Sequence, residues 1–399
     1  MSYDVAEIRN HFPALREGAA HFDGPGGSQV PIEVAQAVAS TMSSAIANRG
    51  QLTAAERRAD RIVIEARHAM ADLVGADPGG IVFGRSMTQL TYEFSRAVAK
   101  DWQPGDEVVV TCLDHDANVR PWIQAAQANG ATVHQVEFDP VTGELPAEAI
   151  AAVLTDRTRL VAVTSASNLI GTRPDIAAIS ALAHVVGALC YVDGVHLTPH
   201  APVDIAALGA DVFVCSPYKF CGPHLGVLAA APDLLNSVHP DKLAPSSNTV
   251  PERFEFGTLP YELLAGTTAA VDFLAGLVPT AGSRRASVEQ SMAAVEKQEN
   301  ELLTELEDGL RRIDGVDIRS RASRRTPTVL FTVADLASAA VSRALAEVGV
   351  NAPAGSFYAP DCARLLGLAD VGGVRAGISL YTDAGDVRRL VDAVASLVG

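Results

Sequence analysis

Between about residues 70 and 230, short apolar runs alternate with stretches of helical periodicity. The runs are Ile81–Gly84, Val108–Thr111, Thr132–Val136, Leu160–Thr164, Leu189–Val192, Val212–Cys215 and Gly226–Ala230. Turn-rich separators such as QPGD, ANGA and VVGA stand between them. Such alternation predicts an α/β fold in which a mostly parallel seven-stranded sheet lies between layers of helices. After about Gly282 the texture changes: a long helical segment, Ser287 to Arg312, leads into short strands such as Val329–Val333 and Ala376–Leu380. We therefore expect a large unit over residues 14–282. A smaller α+β unit is expected over 283–399, with residues 1–13 placed beside it. The uncharged stretch from Ile176 to Val192 approaches membrane length, but His184 and Gly187 interrupt it. It reads as a buried helix followed by a strand.

In open parallel sheets, ligands sit beyond the carboxyl ends of the strands. Five of the predicted strands run straight into polar or ionisable residues there. Ile81–Gly84 leads to Arg85, Ser86 and Thr88. Val108–Thr111 leads to Asp114, His115 and Asn118. Leu160–Thr164 leads to Ser167 and Asn168. Leu189–Val192 leads to Asp193 and His196, and Val212–Cys215 to Ser216 and Lys219.

The net charge of −16 over 399 residues argues against nucleic acid or an anionic membrane as a partner, because phosphates would be repelled. The basic spots Arg284–Arg285 and Arg324–Arg325 read as solvated surface. Five cysteines without a CxxC pair suggest free thiols in a reducing compartment. The opening MSYDVAEIRNHF lacks an apolar signal region, so a cytoplasmic location is expected. No metal-ligand pattern stands out.

Lys219 carries the most chemical information. A lysine at the end of a buried strand is costly unless its charge is used or removed. An aldehyde cofactor removes it by forming an imine with the amine. An acid at the end of a neighbouring strand, here Asp193, can then pair with a pyridinium nitrogen. Together these needs describe a pyridoxal 5'-phosphate (PLP) site.

The motifs LDHDANVRPW (113–122), SASNLIGT (165–172), YVDGVHLTPHAPVDI (191–205), SPYKFCGP (216–223), FEFGTLPYELLAG (254–266) and VRAGISLYT (374–382) are arranged as in a known family. The chain resembles class V aminotransferases, PLP enzymes of fold type I, and within them the cysteine desulfurase and selenocysteine lyase branch. The likeness runs from about Phe22 to Tyr381. It implies a homodimer with active sites at the subunit interface and a small amino-acid substrate.

By this resemblance Lys219 is the imine-forming lysine, later freed to move protons, and Asp193 is the partner of the pyridinium nitrogen. His115 stacks on the cofactor ring and can act as an acid or base. Asn168 bonds the phenolic oxygen, and His196 stands beside that same oxygen, where the family often has glutamine. Ser86, Met87 and Thr88 open a helix whose free N–H groups and dipole suit a phosphate. Ser216 adds a hydroxyl, Thr258 reaches across from the partner subunit, and Tyr218 stands where the family usually has histidine. Arg375 is the clamp for the substrate α-carboxylate, and Arg49 is a further candidate lining residue.

The pattern breaks in NAPAGSFYAPDC (351–362). Aligning Gly355 with the family's glycine puts Tyr358 where a desulfurase carries its persulfide-forming cysteine. Cys362 lies beyond Pro360 and is a poor substitute; Cys221 reads as buried packing. The expectation is a PLP-dependent β-lyase that cleaves a Cβ–heteroatom bond, with His115 or Tyr358 protonating the leaving group. The alternatives are an aminotransferase, epimerase or oxidative decarboxylase on the same scaffold, or a PLP-binding partner protein without catalysis.

Overall fold

The computed structural model describes residues 3–398. All seven predicted runs form strands, with ends moved by a residue or two: β1 (Ile81–Gly84), β2 (Glu107–Thr111), β3 (Thr132–Val136), β4 (Thr158–Thr164), β5 (Leu189–Asp193), β6 (Val212–Cys215) and β7 (Gly226–Ala230). They build one sheet in the order β1-β7-β6-β5-β4-β2-β3. The pairs among β2 to β6 are parallel, whereas β7 runs antiparallel to both of its neighbours. The reversal has a simple cause. The loop 216–225 between β6 and β7 is too short for the crossover helix that a parallel return needs.

Successive side chains of a strand point to opposite faces, and both faces of this sheet are covered. Val109, Val161, Val163, Val192 and Phe213 join a core with the helices Ala54–Val74, Ile176–Val185 and Tyr261–Ala275. Their sequence neighbours Val108, Val110, Leu160, Ala162, Tyr191, Val212 and Val214 join a second core with Met87–Val98 and Arg120–Asn129. Burial on both sides explains why the strands read as continuous apolar runs. Register aligns the carboxyl ends that matter: Thr164 lies opposite Asp193, and Asp193 opposite Val214.

A separate four-stranded antiparallel sheet has the order Ala354–Gly355, Gly373–Gly377, Thr328–Val333, Val316–Ile318. The strand expected at Ala376–Leu380 begins and ends earlier, because Ser379 and Thr382 close a turn on each other.

The expected division at 282/283 is not clean. The helix Arg284–Arg311 places Val288, Met292 and Val295 in the large sheet's core and Leu302, Leu303, Leu306 and Leu310 in the small one's. Ala20–His21, expected in the large unit, pairs with Val350–Asn351, and Ala20 and Phe22 are buried in the small core. Residues 1–13 were expected with the small unit. Of the part described, Ile8 and Phe12 pack into the large core, while Arg9 pairs with Asp386 at 2.6 Å. In each case the position of the apolar side chains decides the allegiance. Among the described residues no helix is long and apolar enough to cross a membrane.

One buried ion pair braces the edge strand beneath the site. Arg67 grips Glu255 with two bonds of 2.9 and 2.8 Å, and Glu255 also accepts the Phe83 N–H at 2.9 Å. Removing the guanidinium would leave a buried carboxylate without its counter-ion. Arg67→Ala is therefore expected to lower stability by about 3–5 kcal/mol, measured as a shift in urea denaturation; a loss below about 1 kcal/mol would show that Glu255 finds water instead.

Candidate active site

The strand ends converge on a small inner cavity of about 70 Å³, which adjoins an outer one of about 560 Å³. Asp193 ends β5, and Gly194 follows it where a Cβ would lie 1.8 Å from the Phe213 ring. Only glycine lets the chain turn here without moving the core. β6 leads through Ser216 into a single 3-10 turn, Pro217–Lys219, that presents the lysine. β1 leads to Ser86, which caps the helix Met87–Val98 by accepting the Gln89 N–H at 3.1 Å. The first N–H groups of that helix lack intrahelical partners. Gly226 permits this packing, since a Cβ there would lie 2.2 Å from the Ser86 carbonyl carbon.

Asp193, His196, His115, Asn168, Ser86, Met87, Thr88, Ser216, Tyr218 and Lys219 all line the inner cavity. Met87 contributes little beyond its backbone, because its side chain is buried in the second core. Arg375 comes from the small sheet, and it lines the outer cavity with Tyr358 and Phe357.

The large-sheet loops and the small sheet are laced together at this point. Arg375 donates to the Asn168 carbonyl at 2.8 Å, and its guanidinium lies 3.7 Å from the Phe357 ring centroid. Asn168 donates to the Phe357 carbonyl at 2.8 Å, and Asp116 N–H to the Tyr358 carbonyl at 2.7 Å. Phe357 and Tyr358 have φ of 51° and 57°, the left-handed region that non-glycine residues rarely adopt. Such strain gathers at ligand sites. Tyr358 is 76% exposed and stacks on His115 at 5.5 Å between centroids.

The electrostatics follow from burial. Burial, then the Arg375 charge, brings Lys219 down to about 7, with Asp193 pulling the other way. The lysine amine donates to the Pro25 carbonyl. Burial raises Asp193 to about 6, against a bond from the Val195 N–H and the Lys219 charge. Burial, then Lys219 and Arg375, pushes His115 down to about 4. Its Nδ1 accepts the Ala117 N–H at 3.0 Å, so the ring is neutral at pH 7 with its proton on Nε2. That tautomer leaves the ring face free to stack and the Nε2 proton free to donate a hydrogen bond. Burial lowers Arg375 to about 9, so it remains charged at neutral pH.

Two predicted residues stand elsewhere in this chain. Arg49 lines neither cavity; it is held by Asp60 at 2.8 Å and Glu252 at 3.2 Å, which take up its charge. Thr258 is exposed and lines a different hollow with Arg85 and His224. The five cysteines are free and buried, and none lines either cavity. Sequence reasoning missed Phe357, Tyr92, Asp116, Arg120 and the Pro25–Gly26 turn, all of which line the outer cavity. The turn run FDGPGG was a signal that could have been used.

The residues fit PLP. Buried Asn168 Oδ1 and His196 Nδ1 have no hydrogen-bond partner among the described residues. A carboxylate, a lysine and a helix start surround the same space. Because only the neutral amine attacks an aldehyde, imine formation by cofactor-free protein is expected to speed up as pH rises through about 7 and then level off. Stopped-flow absorbance after mixing with PLP measures this; acceleration that continues to pH 10 would mean an ordinary lysine.

A family model described as aminotransferase class-V matches residues 20–390. An uncharacterised protein of Mycobacterium tuberculosis is 36% identical, over 100% of both chains. The aminotransferase-like protein FGM3 of Gibberella zeae is 32% identical, over 98% of each. The cysteine desulfurase CsdA of Escherichia coli is 29% identical over 98% of this chain and 97% of its own. A crystal structure of CsdA superposes with a TM-score of 0.87 at 26% identity, covering 100% of both chains.

Proposed function

The chain belongs to the class-V aminotransferase family and is a PLP-dependent enzyme of fold type I, resembling cysteine desulfurases; from that premise we propose that it is a β-lyase. Its substrate is a cysteine-like α-amino acid, and the bond broken joins Cβ to a heteroatom, most often sulfur. The observation that carries this reading is a cavity lined by a half-buried lysine and a buried arginine, with no cysteine on its wall.

When bound, PLP supplies an electron sink for negative charge at the substrate Cα. Asp193, buried in the same cavity wall, would pair with the ring nitrogen and favour its protonated form. Lys219, with an amine that titrates near neutrality, takes the Cα proton. Arg375 receives the α-carboxylate on a fork already oriented by the Asn168 carbonyl and the Phe357 ring. Ser86, Thr88, Ser216 and Tyr218 hold the phosphate end. The Tyr358 hydroxyl, at the cavity mouth, stands where a leaving group departs and gives it a proton.

Desulfurase chemistry would need an accessible thiol on this chain to receive sulfur. Cys362 is buried in the helix Pro360–Leu365, where burial raises its thiol, and it bonds Ser167. Sulfur therefore leaves as a free thiol. The aminoacrylate left behind hydrolyses to a keto acid and ammonia. The name of the FGM3 relative favours transamination as the second reading. That reaction would consume a keto acid as amino acceptor and release no thiol.

A homodimer completes the site in this reading, with the exposed Thr258 of each subunit facing the partner's phosphate end. Five free thiols fit a reducing compartment such as the cytoplasm.

Holoenzyme given S-substituted cysteines is expected to release thiol and keto acid in equal amounts. Neither product appearing, while other amino acids are transaminated or epimerised, would overturn the proposal. Arg375→Lys is expected to lower kcat/KM roughly 10–150-fold, mainly through KM, from about 1.5–3 kcal/mol of charged hydrogen bonding. Tyr358→Phe should slow release of poor leaving groups more than good ones; equal kinetics across leaving groups would remove Tyr358 from the mechanism.

A further inference from the structure

The loop after Asp193 carries two histidines, and both are tied across to the other side of the molecule. His196 Nε2 lies 2.9 Å from the Thr328 hydroxyl, at the start of the small-sheet strand Thr328–Val333. His200 Nδ1 lies 2.9 Å from Glu299, on the long helix between its two apolar halves. The imidazole rings meet edge to face, 5.2 Å apart at 72°. His196 is 2% exposed, His200 5% and Glu299 1%.

An ionisable pair so deeply buried is a poor way to hold two elements together. Apolar residues of like size would pack there at lower cost. Both ends of this set also carry an unspent polar atom. Glu299 Oε1 and His196 Nδ1 have no hydrogen-bond partner among the described residues. Only the histidine belongs to a cavity wall, and that wall also bears Lys219 and Asp193.

We propose that His200 and Glu299 are positioning residues, which fix the ring of His196 beside the cofactor's phenolic oxygen and tie its orientation to the seating of the small sheet on the large one. The proposal rests on the reading of His196 as a neighbour of that oxygen. In the tautomer the proposal requires, the Thr328 hydroxyl donates to Nε2 and the ring proton is on Nδ1, the nitrogen without a partner among the described residues. His200 blocks rotation of the ring, and Glu299 blocks rotation of His200. The surrounding charges keep His196 neutral, so that it acts as a fixed donor. Burial, then His200, Lys219 and Arg375, all hold it well below the usual histidine range. Burial raises Glu299 to about 7, against the charge and hydrogen bond of His200, while Glu296 adds to the rise; Tyr3 and Cys221 also feel its charge.

A donor to the phenolic oxygen favours the deprotonated imine and so lowers the pH at which bound cofactor changes colour. The test is a pH titration of holoenzyme absorbance, without substrate, together with the PLP dissociation constant. His196→Phe is expected to raise the midpoint by about 1 pH unit or more. His200→Leu and Glu299→Leu are expected to raise it in the same direction by a smaller amount, and to weaken PLP binding. Glu299→Gln, which keeps the hydrogen bond, is expected to titrate like the native protein. Should a leucine variant fail to fold, His200→Gln and Glu299→Ala take its place, with the same shift expected of each. Native midpoints in the His200 and Glu299 variants, beside a shifted His196→Phe, would overturn the positioning role alone. A native midpoint in His196→Phe would overturn the assignment of His196 itself.

Discussion

A half-buried primary amine on the turn after a strand, under the influence of one cation and one anion, sets the terms for the rest of this molecule. Lys219 sits within reach of the fields of Arg375 and Asp193, in surroundings that penalise every charge. An amine there loses its proton near neutrality and becomes a nucleophile and base. The same burial raises Asp193 and lowers His115, so each group is pushed toward its neutral form. The parallel sheet makes the arrangement possible. Strands paired in register deliver several loops to one edge, and apolar layers cover both faces of the sheet beneath them.

Half of the site comes from elsewhere. Arg375 belongs to the small sheet, and the Phe357–Tyr358 turn lies beside it. Their bonds to Asn168 and Asp116 cross from one sheet's loops to the other's. The position of Arg375 thus depends on the contact between the two sheets. The helix Arg284–Arg311, shared by both cores, is the rigid member that holds that contact. Strained backbone at Phe357 and Tyr358 fits a turn held from both sides.

None of the five thiols lines the outer cavity. A persulfide must form on a thiol that reaches the substrate, and the thiols here are packed into cores where burial raises them. An aromatic hydroxyl occupies the mouth instead. The turn bearing Lys219 and the turn bearing Tyr358 thus lie on separate segments of the chain. One of them can change while the other stays.

Much of this was legible in the sequence. Period-two burial on two faces produces uninterrupted apolar runs, so the strands, their parallel pairing and the polar residues at their ends could be read directly. Lys219 and Asp193 stood out because chemistry forbids such groups at buried strand ends without a use. What could not be read was allegiance across distance. That Ala20 and Phe22 serve the small core, that one helix serves both, and that Arg49 is spent on Asp60 and Glu252 depend on contacts between residues far apart in the chain. The neutral tautomer of His115, the Phe357 ring beneath Arg375 and the His196–His200–Glu299 set are likewise matters of tertiary packing. Local periodicity reports which face of an element is buried, but only the folded chain decides what it is buried against.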